Sequence, residues 1–176
     1  TLLLKPQNND YSVETLDLGV PEQCPTPFGN HLVWLNAPAD APPAIVTGSP
    51  GVIPHVIRAA TTLPFSRDDI ALPESTHFPL TDGTMGHAFF YPPTNSRYSV
   101  PDGEKPPMIV TAHGGPTARA NEGFSFKVQW WTSRGFSVLD VNYSGSTGFG
   151  RAYQQRLEGQ WGVRDVEDCI AAAHFM

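Results

Sequence analysis

The stretch PMIVTAHGGPT, Pro107 to Thr117, decides how this chain is read. Met108-Ile109-Val110-Thr111-Ala112 is a continuous apolar run, the pattern of a parallel strand covered on both faces. It stops in His113-Gly114-Gly115-Pro116. Open α/β sheets place ligands at the carboxyl ends of such strands. Two glycines let the backbone approach a ligand closely, and Pro116 stiffens the turn. These residue types suit a loop that turns backbone N–H groups towards a developing oxyanion. They suit equally an ordinary β-to-α turn that uses glycine for its conformation alone. The nucleophile such a loop serves is normally a Ser in Gly-x-Ser-x-Gly at a strand-to-helix turn. No such pentapeptide occurs in the 176 residues.

Working outward, the composition divides the chain. Of 18 prolines, 17 lie at or before Pro107 and only Pro116 beyond, so long regular elements are expected only after 107. In residues 1–63 the short apolar runs TLLL, YSVETLDL, HLVWLN, AIVTG and HVIRAA alternate with turn clusters. They predict an antiparallel all-β unit such as a propeller blade, an irregular Pro-rich linker being the alternative. Residues 64–76 are polar and aperiodic and read as the crossing between units. A hairpin is expected around Asp82-Gly83, between a strand at 77–80 and one at Met85 to Tyr91. After the strand 108–112, a helix capped by Asn121 and stopped by Gly135 is expected, carrying Phe124, Val128 and Trp131 on one face. Phe136 to Tyr143 is the next strand, which makes a βαβ crossover. The loop Ser144 to Gly150, a short helix at 151–157 and a last helix from about Arg164 follow. The acidic opening of that last helix, Asp165, Glu167 and Asp168, suits the positive end of its dipole.

Charge and cysteine content exclude several functions. A net charge of −6 and a pI near 5.4, with no Lys/Arg cluster, argue against a nucleic-acid or anionic-membrane partner. Cys24 and Cys169 are isolated, which gives no zinc site or disulfide framework and fits a reducing cytoplasm. No metal or cofactor is expected. No apolar run reaches the ~18 residues of a membrane span. The chain starts without Met and stops inside a helical pattern, so it reads as an internal piece of a longer protein.

Other candidates for chemistry are weaker. Gly145-Ser146-Thr147-Gly148-Phe149-Gly150 follows a strand, but its glycines run in the reverse order of the dinucleotide fingerprint. Ser144 and Ser146 lack the glycines of a nucleophile elbow, and hydrogen bonding within a tight loop is their expected role. Asp140, Asp165 and Asp168 precede any nucleophile, the wrong chain order for a triad acid; helix capping and solvation account for Asp165 and Asp168. Histidines 31, 55, 77, 87 and 174 show no paired spacing and are expected to be structural or exposed.

HGGPT at 113–117, QWWTSRGFSVLDVNYSGSTGFGRAY at 129–153 and GQWGVRDVEDC at 159–169 together resemble the prolyl oligopeptidase family of serine peptidases, in its acylaminoacyl-peptidase and dipeptidyl-peptidase-like branch. The resemblance implies an α/β fold: the N-terminal part of an α/β-hydrolase domain at 77–176, preceded by the end of a β-propeller at 1–63. It implies that the loop of His113, Gly114 and Gly115 supplies an oxyanion donor, with Asn142, Tyr143, Gly145 and Ser146 in a loop close to the active site. Nucleophile, acid and base are all expected after Met176. Strand 108–112 would pair with the nucleophile strand. Implied substrates are short peptides, hydrolysed through an acyl-enzyme. Ser144 stands where the family has Arg or Gly, and Phe149 where Tyr is usual. A carboxylesterase or lipase, and a non-catalytic fragment, are the alternatives; the sequence is silent on oligomeric state.

Overall fold

The computed structural model describes residues 2–7, 10–15, 18, 19, 21–49 and 52–176, the first two segments as backbone only. The chain divides into two compact units, 1–64 and 65–176.

The first unit is all antiparallel. β1 (Leu2–Gln7) pairs with β2 (Asp10–Thr15). β3 (Thr26–Phe28), β4 (His31–Asn36), β5 (Ala44–Gly48) and β6 (His55–Ala59) form a four-stranded meander in sequence order. Strand alternation decides its faces: Ala44, Val46 and Gly48 of β5 are buried, whereas Ile45 between them is exposed. Trp34 packs with Leu18, Ala44 and Val46 to make the small core. β3, which has no apolar alternation of its own, is held by the register of Thr26, Pro27 and Phe28 on β4.

The second unit is a mixed four-stranded sheet. β7 (Glu74–Pro79) and β8 (Met85–Tyr91) form the hairpin around Asp82-Gly83, with the Asp82 carboxylate accepting from the Thr84 N–H at 3.0 Å. β9 (Met108–Ala112) runs parallel to β10 (Ser137–Asn142), and the spatial order is β7-β8-β10-β9, which leaves β9 at the edge. α1 (Phe126–Thr132) joins β9 to β10, and α2 (Arg151–Gln155) and α3 (Arg164–Phe175) follow.

β10 is buried on both faces, and period two assigns each residue its side. Leu139 and Val141 pack with Phe78, Ala88 and Ala172, whereas Val138 packs with Ala71, Tyr91 and Val128. At roughly 1.5–3 kcal/mol for each fully buried aliphatic side chain, this double-sided burial is the main support of the sheet.

Two expectations about helix starts are corrected. Asn121 does not cap α1: its side chain accepts from the Gly123 N–H in a local turn, and the cap is Ser125, which accepts from Val128. The helix is therefore 7 residues long, and Phe124 lies before it, edge-on to Phe126. In α3, Asp165 does accept an N–H near the helix start, from Gly162 at 2.7 Å. Asp168, however, is buried and accepts from the Ser144 N–H at 2.7 Å, so it fastens a loop and is not solvated. Within the stretch 64–76, residues Arg67–Asp69 form a 3-10 turn and Ala71 is buried, its N–H and C=O both bonded to the Gln129 side chain at 2.8 and 3.0 Å. Among the described residues no helix is long and apolar enough to cross a membrane.

Candidate functional site

β9 delivers His113 at its carboxyl end, and β10 delivers Asn142 and Tyr143 beside it, because the two strands pair in parallel with Val141 opposite Ala112. The His113 and Tyr143 rings stack, with centroids 4.4 Å apart and planes at 21°. Tyr143 Oη donates its one proton chiefly to the Gly115 carbonyl at 2.7 Å, with the His113 carbonyl at 3.2 Å as the weaker second acceptor and His113 Nδ1 at 3.3 Å. Burial raises the Tyr143 pKa, with Asp165 and Cys169 adding to it, so the hydroxyl stays a donor across the neutral range. Gly115 has φ +68°, the left-handed region in which a Cβ is strained. Among the described residues, no acceptor meets the N–H of Gly114 or of Gly115.

The Ser146 hydroxyl stands 2.7 Å from His113 Nε2, the separation of a nucleophile from its base. Its surroundings give the pair another role. Ser146 is fully buried and donates its hydroxyl proton to the Tyr143 carbonyl at 2.7 Å. The Oγ then accepts from His113 Nε2–H, which leaves that nitrogen no lone pair with which to take a proton. Ser146 thus goes beyond the expected hydrogen bonding within its own loop and ties that loop to His113, whose ring it fixes in one tautomer.

The loop 144–150 is held from several sides. Gly145 N–H donates to Tyr153 O at 3.0 Å, Thr147 N–H to Ala118 O at 3.0 Å, and Ser144 N–H to Asp168. Arg164 reaches Ser144 Oγ with its Nε and forms an ion pair with Asp82. Phe149, where the resemblance would have Tyr, stacks on His87 at 4.3 Å. Asn142 is buried: its Oδ1 accepts from Ala120 N–H at 2.8 Å and its carbonyl from Tyr153 Oη at 2.7 Å. It acts from beneath the loops, and its Nδ2 has no partner among the described residues.

The loop carrying Gly114 and Gly115 borders an open cleft of about 570 Å³, walled by Val110 and Ala112 of β9, Tyr143, Trp161, and Val166, Cys169 and Ile170 of α3. The apolar wall is the face of α3 on which Val166, Cys169, Ile170 and Ala173 recur at helical spacing in the sequence, which gave no sign that it borders a cleft. Burial pushes the Cys169 thiol up to about 11, so it is no thiolate at neutral pH. Asp140 lies away from this cleft, in a smaller cavity of about 280 Å³ towards α1, where it accepts from Thr111 Oγ1 at 2.9 Å. Burial raises its pKa, against the lowering effect of that bond. His77 and His87, opposite each other on β7 and β8, meet edge to face at 4.9 Å, a pairing that sequence spacing did not reveal. Among the described residues no three His, Cys, Asp or Glu side chains gather at metal-holding distance.

The arrangement has known relatives. Residues 122–176 match the profile described as "Prolyl oligopeptidase family". The chain is 43% identical to "Dipeptidyl peptidase family member 6" of Caenorhabditis elegans, across 43% of this chain and 12% of that protein. It is 37% identical to "Acylamino-acid-releasing enzyme 2" of Oryza sativa subsp. japonica, across 44% of this chain and 10% of that protein. Among solved structures, a Mycobacterium tuberculosis puromycin-hydrolyzing peptidase superposes with a TM-score of 0.86 at 35% identity, over 99% of this chain and 27% of that one. A puromycin hydrolase mutant complexed with PGG superposes with a TM-score of 0.79 at 40% identity, over 86% of this chain and 23% of that one. The chain thus spans about a tenth of the length of the curated relatives it matches and about a quarter of those solved chains. Its fold is that of the end of a β-propeller followed by the first part of an α/β-hydrolase domain.

Proposed function

We propose, for a chain that over residues 122–176 belongs to the prolyl oligopeptidase family, that it forms the oxyanion side of a serine peptidase. In this reading residues 1–63 end the propeller and the catalytic domain opens within 64–76, since β7 already begins at Glu74, with nucleophile, acid and base beyond Met176. Serine attacks the carbonyl of a short peptide. The tetrahedral oxyanion that forms is met by an N–H of the His113, Gly114 and Gly115 loop, while a second donor follows the nucleophile. The intermediate collapses with cleavage of the C–N bond, the amine leaving with the proton that the base took from serine, and water then hydrolyses the acyl-enzyme.

The observation that carries the reading is the pair of N–H groups at Gly114 and Gly115, without acceptors among the described residues, in a loop bordering an open cleft at the end of a parallel strand. A preorganised donor of this kind is worth about 2.7–4 kcal/mol in the transition state, or ~10²–10³ in kcat. A peptide substrate fits the relatives' names and the complex with PGG. The acidic charge makes nucleic acid and anionic membranes unsuitable partners, and the free Cys24 and Cys169 suit a reducing cytoplasm.

The test compares the full-length protein with residues 1–176 alone. The full-length protein is expected to cleave N-acylated or N-terminally free peptide anilides in preference to aryl esters and to be labelled stoichiometrically by a fluorophosphonate. Residues 1–176 are expected to do neither. Faster turnover of aryl esters would make the protein an esterase, and labelling of Ser146 would overturn the assignment of the nucleophile.

A further inference from the structure

We propose that Tyr143 is a positioning residue for the oxyanion loop: its hydroxyl holds the His113 and Gly115 carbonyls and thereby sets the direction of the loop's free N–H groups. The inference rests on the serine-hydrolase reading above and adds to it the group that keeps the hole formed.

Peptide geometry carries the argument. All peptide bonds among the described residues are trans, and in a trans peptide the C=O and the following N–H point to opposite sides. With the His113 carbonyl drawn to Tyr143 Oη, the Gly114 N–H points away from that hydroxyl. The Gly114 carbonyl lies 3.3 Å from His113 Nδ1, so the Gly115 N–H points away from the imidazole. The Gly115 carbonyl, bonded to Tyr143 Oη at 2.7 Å, belongs to the peptide that precedes Pro116, which has no N–H to misplace. Two glycines in succession have no side chains to resist rotation of these planes, and no Cβ at either would meet a neighbour within 4 Å. The direction of the Gly114 N–H therefore depends on what the His113 carbonyl bonds to, since the imidazole, protonated at Nε2, has no Nδ1 proton to offer the Gly114 carbonyl. Tyr143 is itself fixed from beneath, by its ring stack on His113 and by Ser146, whose N–H and hydroxyl both donate to the Tyr143 carbonyl.

The test uses the full-length protein and Tyr143→Phe, which keeps the stacked ring and removes only the hydroxyl. Two inhibitors separate positioning from simple damage. A peptide aldehyde forms a hemiacetal whose oxygen needs the oxyanion hole, and the product peptide does not. The expected result is a kcat lower by about 10- to 100-fold with KM changed by less than about threefold, aldehyde affinity reduced by a matching factor, and product affinity unchanged. Replacement of Tyr143 by p-aminophenylalanine, which restores a donor at the same place, is expected to recover most of kcat. A kcat and aldehyde affinity within about twofold of wild type would overturn the proposal, as would equal weakening of aldehyde and product. A wild-type protein that neither cleaves peptides nor binds the aldehyde would instead remove the serine-hydrolase reading itself, and this assignment with it.

Discussion

Gly145 sits where a side chain has neither room nor an allowed backbone. Its φ is +108°, and a Cβ built there would lie 2.6 Å from Leu157 Cδ2 and 2.8 Å from Leu157 Cβ. The second of those atoms is attached to the main chain, so rotation of the leucine cannot relieve the contact. Gly145→Ala is expected to lose about 1–2 kcal/mol to backbone strain and about 1–3 kcal/mol to overpacking. The midpoint of denaturant unfolding of the second unit in the full-length protein measures it; a midpoint equal to wild type would mean that the loop has another conformation. The loss would also reach the proposed oxyanion side, because Gly145 shares one loop with Tyr143 and Ser146. Glycine at this position therefore marks close packing on Leu157 and not the approach of a phosphate, the role a dinucleotide loop would have given it.

At the scale of elements, β9 and the turn between β7 and β8 were legible because their patterns are unambiguous, whereas β3 and Glu74–Thr76 of β7 carry no apolar alternation to announce them. The continuous apolar run 108–112 is β9 residue for residue, and Asp82-Gly83 announced the β7–β8 hairpin. The start of α1 was not legible, since Asn121 and Ser125 are both good caps and only tertiary packing of Phe124 selects the second. Nor were the roles of Gln129 and Asp168, polar residues on helices whose partners are backbone groups far away in sequence. The β7–β8 pair brings a further consequence that spacing could not give. His87 is packed among His77, Phe149 and Tyr153, and burial is the main reason its pKa falls, with His77 and Arg156 contributing. A histidine whose folded pKa is depressed binds its proton better in the unfolded chain. Its contribution to stability is therefore complete above the unfolded value near 6.5 and is lost as pH falls from there through the folded value. The second unit is expected to unfold at lower denaturant at pH 5.5 than at pH 7.5, and His87→Phe, which suits the aromatic neighbours, is expected to shrink that difference. Equal pH dependence in the two proteins would show that His87 is not its source.

At the scale of the whole chain, both units leave apolar side chains exposed, among them Phe28, Ile53 and Ile57 in the first and Trp161, Val166 and Ile170 in the second. In the second unit β9 has β10 on one side and, among the described residues, no strand on the other, so one row of its backbone N–H and C=O groups is open. The adjoining cleft wall is apolar as well: Trp161 is 64% exposed, and Val166 and Ile170 are 50% and 52% exposed on the outer face of α3. An unpaired edge strand beside exposed aliphatic and indole side chains is a template for pairing with another copy. Net charge opposes this only weakly, since −6 is spread over 176 residues with no acidic cluster on β9. A polypeptide of residues 1–176 is therefore expected to self-associate at micromolar concentration and to melt without a sharp transition. Light scattering and calorimetry measure the two properties. Val166→Lys with Ile170→Lys, which charges the α3 wall without touching a buried residue, is expected to reduce association and leave the open β9 edge as the remaining route. Val110→Lys on β9, partly exposed at 37%, is expected to reduce it further. A monomeric wild-type chain with a cooperative melt would show that β9 and α3 need no cover.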